Sequence, residues 1–165
     1  EVFRGTSALV QLFWFYFALP FLGLRLNALT AGILVLGLNA GAYGSEVVRS
    51  AIRNVGVGQH EAALALNLTR RQKMIHIVFP QATLAMIPPA GNLLIELLKN
   101  TSLVSLITLS ELTFQAETLR DATLQTTKIF SIVLLIYFLL AQGLSRLMRM
   151  LEKRLARGMD HGGLR

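Results

Sequence analysis

Long runs without charge are the main feature of this sequence. Residues 5–24, 26–45, 77–95 and 129–145 contain no Asp, Glu, Lys or Arg. Because a helix rises about 1.5 Å per residue, runs of roughly this length match the hydrocarbon core of a bilayer, about 30 Å thick. The pattern predicts an all-α membrane protein with four transmembrane helices.

Local signals give these helices approximate limits. The first is predicted from about Thr6 to Leu19, and the second from about Ala28 to Arg49. The third run contains Pro88 and Pro89, which predict a kink because proline removes a helical hydrogen bond.

Composition narrows the class of protein. Hydrophobic residues make up 53% of the 165 residues, charged residues only 15%, and the mean hydropathy is +0.55, too apolar for an ordinary soluble domain. Cysteine is absent, and His60, His76 and His161 lack metal-site spacing, so no metal site is expected. No Gly is followed by Lys, so the chain lacks a phosphate-binding loop and is not expected to hydrolyse ATP or to bind a cofactor.

The net charge of +7 is distributed unevenly. With both termini and the loop after the second helix on one side, the other side receives only Arg25, Arg120 and Lys128, and Lys99 falls near a helix end. The basic side, which is cytoplasmic by the positive-inside rule, receives Arg4, Arg49, Arg53, Arg70, Arg71, Lys73, Arg146, Arg149, Lys153, Arg154, Arg157 and Arg165. The charge therefore predicts topology and contact with membrane lipid, and nucleic acid is not expected as a partner.

A polar segment, residues 51–79, lies between the second and third runs. Gly56 and Gly58 are predicted to break the preceding helix, and Gln59–Leu66 to form a short amphipathic helix. Such a segment is expected to dock a soluble partner on the cytoplasmic side, although a plain solvated basic loop is the alternative.

Stop and start signals follow within this segment. Asn67 is a residue suited to the left-handed conformation that ends a helix. Thr69 with Gln72 three residues on is a capping-box pattern, which predicts a second short helix through Arg70, Arg71 and Lys73.

Glu61-Ala62-Ala63 is followed after three residues by Asn67, after nine more by Ile77 and after one more by Phe79-Pro80. This spacing resembles the EAA motif of integral-membrane permeases of bacterial ABC importers. Asn67 stands where that family has Gly, and Phe79 where it usually has Leu. The resemblance implies that the residues coupling this chain to an ATPase are Gly58, Glu61, Ala62, Ala63, Asn67, Ile77 and Pro80.

Further stretches are similar to the polar amino-acid uptake branch, the His/Glu/Gln/Arg/opine type. They include Phe3–Thr6, Gly58–Gln59 and Leu98–Ser105. Three others resemble permeases of the ectoine and hydroxyectoine subtype, namely Ala65–Thr69, Asn92–Lys99 and Leu109–Ala116.

The resemblance implies the transmembrane domain of a type I ABC importer, in the bacterial cytoplasmic (inner) membrane. Residues 1–165, which do not begin with Met, would be an N-terminally truncated permease domain supplying the last four of about five helices, with residues 51–79 as its coupling segment. A second permease subunit, identical or not, an extracytoplasmic solute-binding protein and separate ATPase subunits, which hold ATP and Mg, would complete the importer.

Polar residues at membrane depth are candidates for the solute pathway. Asn39 needs a partner or water, and Glu96 and Lys99, three apart on a helix, could either neutralise each other or line the route. Asn100, Thr101 and Ser102 could satisfy backbone freed by a helix break or contact a zwitterion. Two alternatives remain, an ion-coupled secondary transporter working through Glu96 and a scaffold without transport.

The charge asymmetry makes a testable prediction of topology. In intact cells, a membrane-impermeant thiol reagent should label Ala122→Cys, beside Arg120, and leave His60→Cys unlabelled until the membrane is opened, because no native Cys competes. Labelling of position 60 with protection of position 122 would overturn the topology.

Overall fold

The computed structural model describes residues 2–160, with side chains through Leu155. His161 and Arg165 lie outside the described residues, and of Arg157 only the backbone is described. The α-helices, in chain order, are α1 (Val2–Gly5), α2 (Ala8–Phe13), α3 (Ala28–Arg53), α4 (Val57–Ala65), α5 (Arg70–Lys73), α6 (Phe79–Asn100), α7 (Leu112–Thr123) and α8 (Thr126–Asp160).

Several helices continue into other helical forms. Leu19–Leu22 and Thr101–Ile107 are 3₁₀-helical, whereas Trp14–Ala18 and Met74–Val78 are π-helical. Each π-helical turn ends two residues before a proline, Pro20 or Pro80. Proline has no N–H to donate, so a local change in the hydrogen-bond ladder precedes it, and the Phe79 N–H donates to the Met74 carbonyl.

Within the described residues, three helical stretches are long and apolar enough to cross a membrane, namely Ala28–Arg53, Arg70–Ile107 and Thr126–Leu155. The first predicted helix is present as the apolar stretch Ala8–Leu22, which is shorter than these three. The described residues contain no strand, and the predicted all-α membrane fold is confirmed.

Some predicted boundaries are wrong. The second helix continues to Arg53, and Gly58 does not break it but lies inside α4, whose N-cap is Gly56. A single Gly costs a helix only about 1 kcal/mol, which neighbouring contacts can offset.

The second short helix of the polar segment is also not separate. α5 continues through the π-helical turn Met74–Val78 into α6, because no stop signal lies between Lys73 and Phe79. Pro88 and Pro89 lie inside α6, which remains helical through both.

The described chain divides into two compact units. Unit 1 contains the residues up to Tyr43 together with Leu93–Leu144. Its core joins α2, α3 and the 3₁₀ turn after α6, where Leu12, Val35 and Ile107 are fully buried. A Cβ on Gly32 would lie 3.3 Å from Val104 Cγ1, so a small residue permits this close packing.

Unit 2 contains Gly44–Asn92 together with the residues from Ser145 onward. Its core consists of buried Ala51, Val55, Val78 and Ala82. These small and β-branched side chains hold the end of α3 against the start of α6, and α4 lies between them in the chain.

Gly91 of α6 packs closely against α8 within unit 2. A Cβ on Gly91 would lie 3.0 Å from Met148 Cγ and 3.1 Å from Met148 Cβ, whereas nothing lies within 4 Å of a Cβ on Gly143. We expect Gly91→Leu in the full-length protein to lower the free energy of unfolding by about 1–3 kcal/mol through overpacking. Denaturation in mixed micelles measures this, and Gly143→Leu is the control; equal stability of both variants would contradict the packing.

Candidate functional site

The segment from α4 to α5, residues 57–73, is built around a helix stop at Asn67. This residue has φ +54°, the predicted left-handed conformation. The Asn67 N–H donates to the Leu64 carbonyl at 2.9 Å, and the Leu68 N–H to the Ala63 carbonyl at 3.0 Å. This pair of bonds is a Schellman motif, which satisfies carbonyls at the helix end and fixes the direction of the chain.

The start of the next helix is fixed equally well. Gln72 N–H donates to Thr69 Oγ1 at 3.3 Å, and Thr69 N–H donates to Gln72 Oε1 at 3.0 Å. The predicted capping box is therefore present. The Schellman motif and the capping box, within the ten residues 63–72, give this polar segment a defined geometry, unlike that expected of a plain loop.

The motif residues have different environments in unit 2. Ala63 is fully buried, and Ile77 and Pro80 are half-buried. Glu61 is exposed, as are Gly58, Ala62 and Asn67.

One exposed face of α4 combines two apolar side chains with an acidic side chain between them. Val57, Glu61 and Leu64 stand at helical spacing on one side, and Val57 and Leu64 are 71% and 68% exposed. Ala63, on another side, is buried, so α4 is anchored by one face and presents a second. Within the described chain, nothing covers this face.

The candidate solute residues lie in unit 1 but do not form one cluster of hydrogen bonds. Asn39, 9% exposed, donates through Nδ2 to the Phe3 carbonyl at 2.9 Å. Gln11 Nε2 donates to the same carbonyl at 3.1 Å. The Asn39 amide thus holds the turn of α1 against α3.

Glu96 and Lys99 are both exposed on α6. Among the ion pairs of the described residues, none joins these two side chains, although they stand three residues apart. Neither charge is neutralised by the other.

Asn100 ends α6, and the hydroxyls after it bond to nearby carbonyls. Thr101 Oγ1 donates to the Leu98 carbonyl at 2.7 Å, and Ser102 Oγ to the Lys99 carbonyl at 2.8 Å. These bonds compensate for the change from α- to 3₁₀-helix. They leave the oxygen lone pairs of both hydroxyls free to accept.

Glu111 was missed by the sequence reasoning. Its carboxylate is the N-cap of α7, accepting from the Phe114 N–H at 2.9 Å and the Thr113 N–H at 2.8 Å. The Tyr137 hydroxyl, on α8, donates to the same carboxylate at 3.3 Å. Tyr137 lies midway along the uncharged run 129–145, so this link lies at membrane depth. Glu is a weak N-cap signal compared with Ser, Thr, Asp or Asn, and sequence alone gave little indication of it.

The structure is therefore that of a multi-pass helical membrane protein with an ordered polar segment between two of its spans. The chain belongs to the family described as binding-protein-dependent transport system inner membrane component, whose model matches residues 1–157. It is thus an ABC importer permease, as the EAA-like spacing predicted.

Individual relatives are also named as permeases. A probable amino-acid ABC transporter permease, y4tF, of Sinorhizobium fredii is 50% identical over 98% of this chain and 70% of its own. The glutamine transport system permease GlnP of Escherichia coli is 38% identical over 94% of this chain and 72% of its own. The predicted resemblance to the polar amino-acid branch is therefore confirmed.

Solved structures confirm the fold. The structure described as an amino acid ABC transporter with histidines aligns with a TM-score of 0.88 and 37% identity, covering 93% of this chain and 72% of that one. The inward-facing methionine transporter MetNI aligns with a TM-score of 0.67 over 90% of this chain and 70% of that one; at 19% identity, this likeness concerns the fold alone.

Proposed function

We propose that this chain is the membrane-spanning permease subunit of an ATP-driven importer of a polar amino acid or an ectoine-like zwitterion. It lies in the bacterial inner membrane with a second permease subunit and takes solute from an extracytoplasmic binding protein. The chain is not itself an enzyme, because a separate ATPase subunit binds and hydrolyses ATP. Family membership favours this function over an ion-coupled secondary transporter.

The exposed face of α4 is the observation that carries the coupling proposal. Val57, Glu61 and Leu64 present apolar area and one negative charge outside the predicted spans, and large exposed side chains on so short a helix indicate a binding surface. A groove in the ATPase receives this face. Closure of the ATPase then moves α4 and, through the Schellman turn and capping box, pulls on the helix that continues into α6.

The solute class rests on relatives and on charge. Relatives are named for glutamine and cystine transport, and both compounds carry amino and carboxylate groups. Glu96 and Lys99 offer opposite charges that no ion pair in the described chain consumes. With Asn100, Thr101 and Ser102 beside them as uncharged partners, they recognise a solute that bears both signs. Asn39 supports the same unit by holding α1.

Asn67 gives the sharpest test of coupling. Asn67→Gly should keep uptake, because Gly adopts the left-handed conformation without strain. Asn67→Val should impair uptake and the stimulation of ATPase activity by loaded binding protein, about five- to thirtyfold, because a β-branched residue, unlike Asn, is strained in the left-handed conformation by about 1–2 kcal/mol. Glu61→Lys should also weaken stimulation by reversing the charge at the contact. Reconstituted complexes in vesicles measure both activities.

Leu124 provides a matched control. It also has a left-handed backbone, at φ +56°, but lies between α7 and α8, far along the chain from the exposed face of α4. Leu124→Val likewise places a β-branched residue at a left-handed position and should retain ATPase stimulation. Intact uptake and stimulation in Asn67→Val would show that residues 57–73 are an ordinary loop and that coupling lies elsewhere.

The solute proposal predicts a change in apparent affinity. Lys99→Ala, Asn100→Ala and Ser102→Ala should each raise the KM for uptake, with Lys99→Ala raising it about tenfold or more, because a hydrogen bond to a charged group contributes about 1.5–3 kcal/mol. Uptake of labelled glutamine and of labelled ectoine, each with the other as competitor, measures this and separates the two solute types.

Lys128→Ala is the control, since Lys128 is an exposed Lys in the same unit and outside the candidate set. Unchanged KM in all three variants would exclude this solute site. Transport of only a sugar or a metal ion would exclude the solute class.

A further inference from the structure

The cytoplasmic end of α8 extends beyond the predicted span. The uncharged run ends at Arg146, but α8 continues without interruption to Asp160. Five basic residues lie in this extension, and the four whose side chains the structure describes are all exposed; they are Arg146, Arg149, Lys153 and Arg154, here called the basic face.

Helical geometry places the basic face on one side of α8. At about 100° per residue, its four members fall within an arc of about 140°. Met148 points away from that arc and packs against Gly91 of α6, since a Cβ on Gly91 would lie 3.0 Å from Met148 Cγ. Glu152, the acid between Arg149 and Lys153, is half-buried and falls on the Met148 side. Packing within unit 2 therefore turns the basic face outward.

The basic face has no acidic partner among the described residues. Arg49, also in unit 2, is paired with Glu46 at 3.6 Å. The described ion pairs include none to Arg146, Arg149, Lys153 or Arg154. Four like charges on adjacent turns repel one another, so an external anion would stabilise this arrangement.

We propose that the basic face binds the headgroups of anionic phospholipids. Arg146 is the first charge after the uncharged run, and Arg154 lies about 12 Å farther along the helix axis. The interfacial layer adds about 5–8 Å to each side of the hydrocarbon core, and screening at physiological salt extends about 8 Å. The whole face thus lies within reach of lipid phosphates, which guanidinium groups bind through paired hydrogen bonds.

The test measures lipid enrichment at this face. A donor dye is placed on Met150→Cys, an exposed position within the basic arc of a chain that has no Cys. The full-length permease, assembled with its ATPase, is reconstituted in vesicles of phosphatidylcholine and phosphatidylglycerol that contain an acyl-labelled acceptor of either lipid. Energy transfer should indicate about fivefold or greater local enrichment of phosphatidylglycerol, decreasing at high salt.

Matched variants decide the assignment. Arg149→Gln, Lys153→Gln and Arg154→Gln together should abolish the enrichment, whereas Arg25→Gln, Arg120→Gln and Lys128→Gln, which remove the same charge elsewhere, should retain it. Equal energy transfer to both lipids, with the basic face unchanged, would overturn the proposal. Enrichment of phosphatidylglycerol that persists after the three substitutions in the basic face would also overturn it. Enrichment in the permease alone that disappears when the ATPase binds would also overturn it, since the face would then be a protein contact.

Discussion

Backbone amides and carbonyls inside a bilayer have no water to bond, and this constraint governs the whole chain. The spans are continuous helices because a helix satisfies these groups within itself. Each interruption carries its own replacement bonds. After α6, the hydroxyls of Thr101 and Ser102 bond to carbonyls, and at the start of α7 Glu111 accepts two backbone N–H groups. In the polar segment, the Schellman turn at Asn67 and the capping box at Thr69 do the same.

The features that sequence predicted are those that depend on local chemistry. Uncharged runs marked the spans, and Asn67, Thr69 and Gln72 marked a stop and a start that the structure confirms. The helix break predicted at Gly58 was wrong, because Gly disfavours a helix only slightly and the contacts of α4 outweigh that cost. The merging of α5 with α6 depends on a π-helical turn before Pro80, which has no simple sequence signal.

The candidate sites were predicted unequally for the same reason. The polar segment is contiguous in sequence, so its spacing could be recognised. Among the candidate solute residues, Asn39 lies far in sequence from residues 96–102, and the role of such a residue depends on which distant group it contacts after folding. Asn39 bonds to Phe3, and Glu111 to Tyr137, and neither pairing has a sequence pattern. Exposure likewise distinguishes Leu64 from buried Ala63 only after folding.

The central claim is that the exposed face of α4 contacts the ATPase, and site-specific photocrosslinking tests it most directly. A photoreactive amino acid replaces Leu64, which is 68% exposed on α4, or Leu134, which is 71% exposed on α8. In the assembled full-length importer, irradiation should join position 64 to the ATPase in high yield and position 134 to lipid. Absence of an ATPase adduct at position 64, or equal adducts at both positions, would contradict the claim.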